Sequence, residues 1–101
     1  MIALALMLAP VGASTVPQVS GFGMGGYSCA TAFEPENVDQ TRNWVFGFWS
    51  GVNNTRGLRV GARTDGDGVM GEVRRVCTTR PAILLYVAVD QAYANLLRQR
   101  L

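Results

Sequence analysis

Asp67–Thr78 reads DGVMGEVRRVCT, and the spacing of its apolar residues decides the fold. Val69, Met70, Val73, Val76 and Cys77 fall on one stripe of a helix, while Glu72, Arg74, Arg75 and Thr78 fall on the other. No other segment of the chain is so cleanly amphipathic. A helix with one apolar stripe needs other elements to bury it. The same stripe turns Cys77 toward that core, where a second thiol can reach it.

Just upstream, Thr64–Glu72 reads TDGDGVMGE and has the look of a calcium loop, with Asp65, Asp67 and Gly68 in suitable places. The register fails at both anchors, where Arg63 and Arg74 stand in place of the required carboxylates. Asp65 or Asp67 is better read as the cap of the following helix, with the glycines making the turn.

Outward toward the N-terminus, Glu34–Asn54 reads EPENVDQTRNWVFGFWSGVNN. Pro35 with Glu34 and Glu36 suits a helix start, and Asn53 with Asn54 suits its end. Val38, Thr41, Val45, Phe48, Trp49 and Val52 recur at helical spacing. Gly47 and Gly51 lie one turn apart, which is expected to let another helix approach closely within the core. Toward the C-terminus, Pro81 is expected to open a third helix running to the chain's end. Leu85, Tyr86, Val89, Ala92, Tyr93 and Leu96 face one way on it; Gln91, Asn95, Arg98 and Gln99 face the other. Ile83–Val89 is apolar on every side, so it is either buried all round or covers a partner groove. Tyr27–Phe33 reads as one helical turn carrying Cys29 and Phe33 onto the core.

The chain has 101 residues, enough for one small domain, and its first charged residue is Glu34. Met1–Ala13, MIALALMLAPVGA, is a short apolar run ending in small residues, and it reads as a signal peptide of an exported, periplasmic or secreted protein. Pro10 and Gly12 interrupt it too early for a membrane span. Ser14–Gly26 is rich in Gly and Pro and is expected to be a flexible leader. Docking of Phe22 and Met24 onto a neighbouring groove is the lesser alternative.

Cys29 and Cys77 are the only cysteines, an even count in a chain that reads as exported, and they are expected to form one disulfide. The chain-entropy argument gives such a link about 4 kcal/mol, comparable to the stability of so small a core. Two Cys and no His do not make a zinc site, and their spacing is not that of a redox pair. The expected fold is therefore all-α, a small three- to four-helix orthogonal bundle over residues 27–101, closed by the disulfide.

Catalysis is poorly supported. Ser50 in GFWSG lacks the glycine a nucleophile elbow needs two residues earlier, and no His is available as a base. Asp65 and Asp67 share a glycine-rich loop with no evident pocket. No enzyme activity, cofactor or metal is expected. Net charge is +2, with nine Arg and no Lys, too little for a surface that tracks nucleic-acid phosphates. Arg56, Arg59 and Arg63 cluster in one loop and are candidates to receive an acidic protein surface. Trp44, Phe46 and Trp49 are candidate apolar contacts for a protein partner, which the sequence leaves unidentified, and a homodimer is one reading. Asn53, Asn54 and Thr55 form a glycosylation sequon whose meaning depends on the host.

From Tyr27 to Leu97 the chain resembles two groups of small exported bacterial helical proteins. Tyr27-Ser28-Cys29 with Phe33, Gly47-Phe48 with Asn53-Asn54, and Cys77-Thr78 are similar to the HdeA-like periplasmic acid-stress chaperones. Gly47-Phe48 with Gly51, Gly68-Val69 and Pro81 are similar to the immunity proteins of type VI secretion. The first resemblance implies a dimer that loosens in acid to hold unfolding clients; the second implies a rigid helical dimer that blocks a toxin. With seven carboxylates and no Lys, an acid switch here is expected to be weak. The expected function is binding of a protein, client or toxin, with an acid-stress holdase or a structural envelope protein as alternatives.

Overall fold

The computed structural model describes residues 22–101, and every regular element among them is helical. The signal segment at 1–13 and the leader up to residue 21 lie outside the described residues. The helices are α1 (Cys29–Ala32), α2 (Val38–Arg56), α3 (Gly66–Thr79) and α4 (Leu85–Arg98), with 3-10 turns at Gly23–Gly26 and Pro35–Asn37. None of the helices is long and apolar enough to cross a membrane.

α3 is the amphipathic helix expected, and it buries Val69, Met70, Val73, Val76 and Cys77. Asp65 caps it, its side chain accepting the Gly68 N–H at 2.8 Å. That bond satisfies one of the donors a helix start leaves open. α3 packs principally on α4, whose Leu85, Ala88, Val89, Ala92, Tyr93 and Leu96 complete the apolar layer. α2 contributes Thr41, Val45 and Trp49. The Thr41 hydroxyl donates to the Ala32 carbonyl at 2.6 Å, so this buried polar group ties α2 to α1.

Cys29 and Cys77 form the expected disulfide, with Cα atoms 5.2 Å apart and both residues buried. It joins α1, a helix too short to stand alone, to the end of α3. Ser28 caps α1 through its side chain, and the Cys29 and Ala30 N–H groups donate to the carbonyls of Ile83 and Pro81 at 2.7 and 3.0 Å.

That pairing corrects the expected start of the last helix. Pro81 does not open it; residues 81–84 run as a connector bridged to Ser28, and α4 begins at Leu85. The connector's carbonyls are needed by α1, so its backbone is not free to coil. The expected leader is also corrected at its end. Gly23–Gly26 form a 3-10 turn with Met24 and Gly25 buried, leaving Phe22 exposed. A Cβ on Gly25 would come within 2.6 Å of Trp44 Cε2, so glycine allows this strap to lie flat on the indole.

A third correction concerns Asn95, expected on the outer face of the last helix and in fact buried. Its side-chain N–H donates to Glu72 Oε2 at 2.8 Å, and its oxygen accepts from Gln91 and Arg98, each at 2.9 Å. The α3–α4 interface therefore carries a polar patch with its hydrogen bonds made. Gly47 and Gly51 are exposed, and a Cβ at either would meet nothing within 4 Å. The close helix approach expected there does not occur within the chain.

A candidate protein-binding groove

The loop between α2 and α3 and the C-terminal end of α4 enclose an open groove of about 420 Å³. Leu58, Val60, Leu96, Leu97 and Leu101 give it an apolar lining, and Arg59, Arg63 and Arg100 stand at its margin. α2 ends because Gly57 adopts φ 67°, the left-handed conformation glycine tolerates, and its N–H returns to the Asn53 carbonyl.

The loop that follows is held by Asn53. Its side-chain N–H donates to the Val60 carbonyl at 3.0 Å, while its oxygen accepts the Val60 N–H at 3.1 Å and the Tyr93 hydroxyl at 2.6 Å. Trp49 Nε1 donates to the same Val60 carbonyl at 2.8 Å. Two side chains of α2 thus grip Val60, and Tyr93 of α4 braces one of them, Asn53. On the far wall, the Arg63 N–H donates to the Leu101 carbonyl at 3.0 Å, which ties the loop to the segment after α4. The groove is preformed by these bonds.

Its charge is left unanswered. Among the described residues, ion pairs join Arg42 to Asp67 and Arg75 to Glu72, and none reaches Arg59, Arg63 or Arg100. Three arginines and four leucines lining one groove suit a ligand that is both apolar and anionic.

The sequence-derived candidates do not gather in one place. Arg59 and Arg63 meet at the groove, joined there by Arg100, which the sequence reading did not single out. Trp49 is 5% exposed and belongs to the core, stacked at a tilt on Tyr93 with centroids 5.0 Å apart. It supports the groove from beneath and has little face to offer a partner. Arg56 lies over the Tyr93 ring at 5.6 Å, outside the groove. Trp44 is half-buried beneath the N-terminal strap, its Nε1 donating to the Phe22 carbonyl at 2.8 Å and its ring stacked on Phe48. Phe46 packs against Gly66 with Arg42 over its ring, and together with Trp49 it lines a second concavity of about 350 Å³. Nothing brings Trp44 or Phe46 to the arginines.

Sequence reasoning also missed the groove's apolar lining, Leu58, Val60, Ala62, Leu96, Leu97 and Leu101, and Asn53, which holds the loop. The one available signal was the contrast between an Asn at a helix end and a small apolar residue a few positions on, Val60, which needs a polar side chain to hold its backbone. Comparison with protein-family models, with curated proteins and with solved structures finds no match for this chain.

Proposed function

We propose that this chain is an exported domain, periplasmic or secreted, that binds a protein partner without catalysing a reaction, as the HdeA-like and immunity proteins it resembles do. The observation that carries the reading is the groove: an apolar lining, three arginines without ion-pair partners, and a loop fixed by hydrogen bonds from α2 and to the segment after α4. A preformed site of this kind favours one partner of complementary shape and charge over many unfolding clients. Export accords with the disulfide, since such links persist in oxidising compartments.

The test is affinity capture from a periplasmic extract at neutral and acidic pH, with wild type beside an Arg59→Glu/Arg63→Glu variant. The expected result is a partner held by wild type at neutral pH and released by the variant. Equal capture by both proteins overturns the groove as the binding site, and capture of nothing at either pH overturns protein binding itself.

A further inference from the structure

Two helices in this domain end in the same way with different residues. At the end of α2 the left-handed position is Gly57, φ 67°, and the next N–H, that of Leu58, closes on the Asn53 carbonyl at 3.0 Å. At the end of α4 the left-handed position is Arg100, φ 60°; its N–H donates to Leu97 at 3.1 Å, and the Leu101 N–H closes on the Leu96 carbonyl at 3.0 Å. Both are closures in which glycine is strongly favoured, because a Cβ at that dihedral crowds the following carbonyl. Arg100 is the single non-glycine residue with positive φ among the described residues.

The turn lets Leu101 dock, with its N–H on Leu96 and its carbonyl on the Arg63 N–H, but a glycine at position 100 would allow the same bonds without the strain, and the exposed Arg100 side chain makes no ion pair. Nor is a cation needed there for the helix dipole, because Arg98 already occupies the last turn of α4. What the position does supply is a third arginine in the lining of the groove, beside Arg59 and Arg63. Strained residues of this kind collect at binding sites.

We infer that Arg100 is a ligand-binding residue held against its backbone preference, and that the groove receives an acidic peptide segment bearing leucine-type side chains. This rests on the protein-binding reading above and names the class of partner. The apolar side chains lie on Leu58, Leu96, Leu97 and Leu101, and the carboxylates meet Arg59, Arg63 and Arg100.

The probe is a fluorescein-labelled synthetic peptide of alternating leucine and glutamate, read by anisotropy. Peptides alternating leucine with lysine and serine with glutamate are the controls, and phosphatidylglycerol vesicles are a further ligand. Wild type is expected to bind the leucine–glutamate peptide alone, less tightly as salt rises. Arg100→Gly is expected to raise Tm by roughly 4 °C by relieving the strained backbone, and to weaken peptide binding about tenfold. Arg100→Lys keeps both charge and strain, so Tm is expected to hold and most binding to remain. Opposite signs in stability and binding are what a merely structural arginine would not give. A fall in Tm with Arg100→Gly, unchanged peptide affinity in it, or binding of vesicles in place of the peptide overturns the inference. Should the peptide fail while partner capture still depends on Arg59 and Arg63, the inference falls and the protein-binding reading stands.

Discussion

Where Cys29 meets Cys77, the bundle is closed by a covalent bond, the first N–H groups of α1 are taken up by the 81–84 connector, and Phe33 lies under the Arg74 guanidinium at 4.4 Å. Around the loop before α3 and the end of α4, the groove instead gathers three arginines without ion-pair partners, leucines at an open surface and a non-glycine residue in a left-handed conformation. Neither end leaves a buried side-chain polar atom without a hydrogen bond among the described residues, so the contrast is not one of good and poor packing. One end is closed by covalent and backbone bonds; the other keeps partly exposed leucines and a strained residue, features that lower stability. Natural domains show this pattern where binding competes with folding.

The strongest way to break that comparison is to remove the covalent end. The disulfide joins residues 48 apart in sequence, and Cys29→Ser with Cys77→Ser is expected to lower unfolding stability by about 4 kcal/mol. Urea unfolding followed by far-ultraviolet circular dichroism measures it. An unchanged midpoint would show that the packed core alone supports α1, and the division between the two ends would collapse. Retained groove affinity in whatever fraction still folds would sharpen it.

A smaller effect is expected at the strap. Gly25→Ala puts a Cβ against Trp44, and the overpacking is expected to cost about 1–3 kcal/mol and to shift the Trp44 emission to the red as the indole is uncovered. Unchanged Tm and emission would mean that Gly23–Gly26 do not pack on α2, and the sealed part of the molecule would begin only at Tyr27.

The same contrast explains what the sequence made legible. Val69 to Cys77 declare themselves because a helical period and a burial pattern are local properties, and the disulfide follows from there being two cysteines and no others. The start of α4 was misread at Pro81 because the connector's carbonyls serve α1, more than fifty residues earlier, and no local signal reports that. Asn95 was placed outside because a polar residue on a helix is ordinarily solvent-facing; its burial depends on Glu72 from another helix. Gly47 and Gly51 matched a packing pattern that no neighbour completes. Two of the groove's three arginines, Arg59 and Arg63, are visible together in one loop. Arg100 was not, because a left-handed helix end is read from glycine, and here the glycine is missing.

Between the two ends lies Glu72, which tests how far the domain responds to acid. A hydrogen bond from Arg75 holds its carboxyl below the usual value of 4.5, against the opposing effect of burial, with help from the Asn95 hydrogen bond and the charges of Arg75 and Arg98. A carboxylate whose pKa is depressed by folding stabilises the fold above its unfolded pKa, and that contribution is lost as pH falls through the folded value. Glu72→Gln is therefore expected to reduce stability at about pH 6 and to leave it nearly unchanged at about pH 2, a window set by this group's own downward shift. Urea midpoints of both proteins across that range check it. The effect is the smallest of the three, since one depressed carboxylate gives acid little leverage on a disulfide-closed core. A wild-type domain that instead opened cooperatively near pH 3, with a large rise in dye-accessible apolar surface, would favour an acid-triggered holdase over a preformed binding groove. A loss of stability equal at both pH values in Glu72→Gln would show that the side chain acts by packing with Asn95, and the pH response would then have to come from elsewhere in the chain.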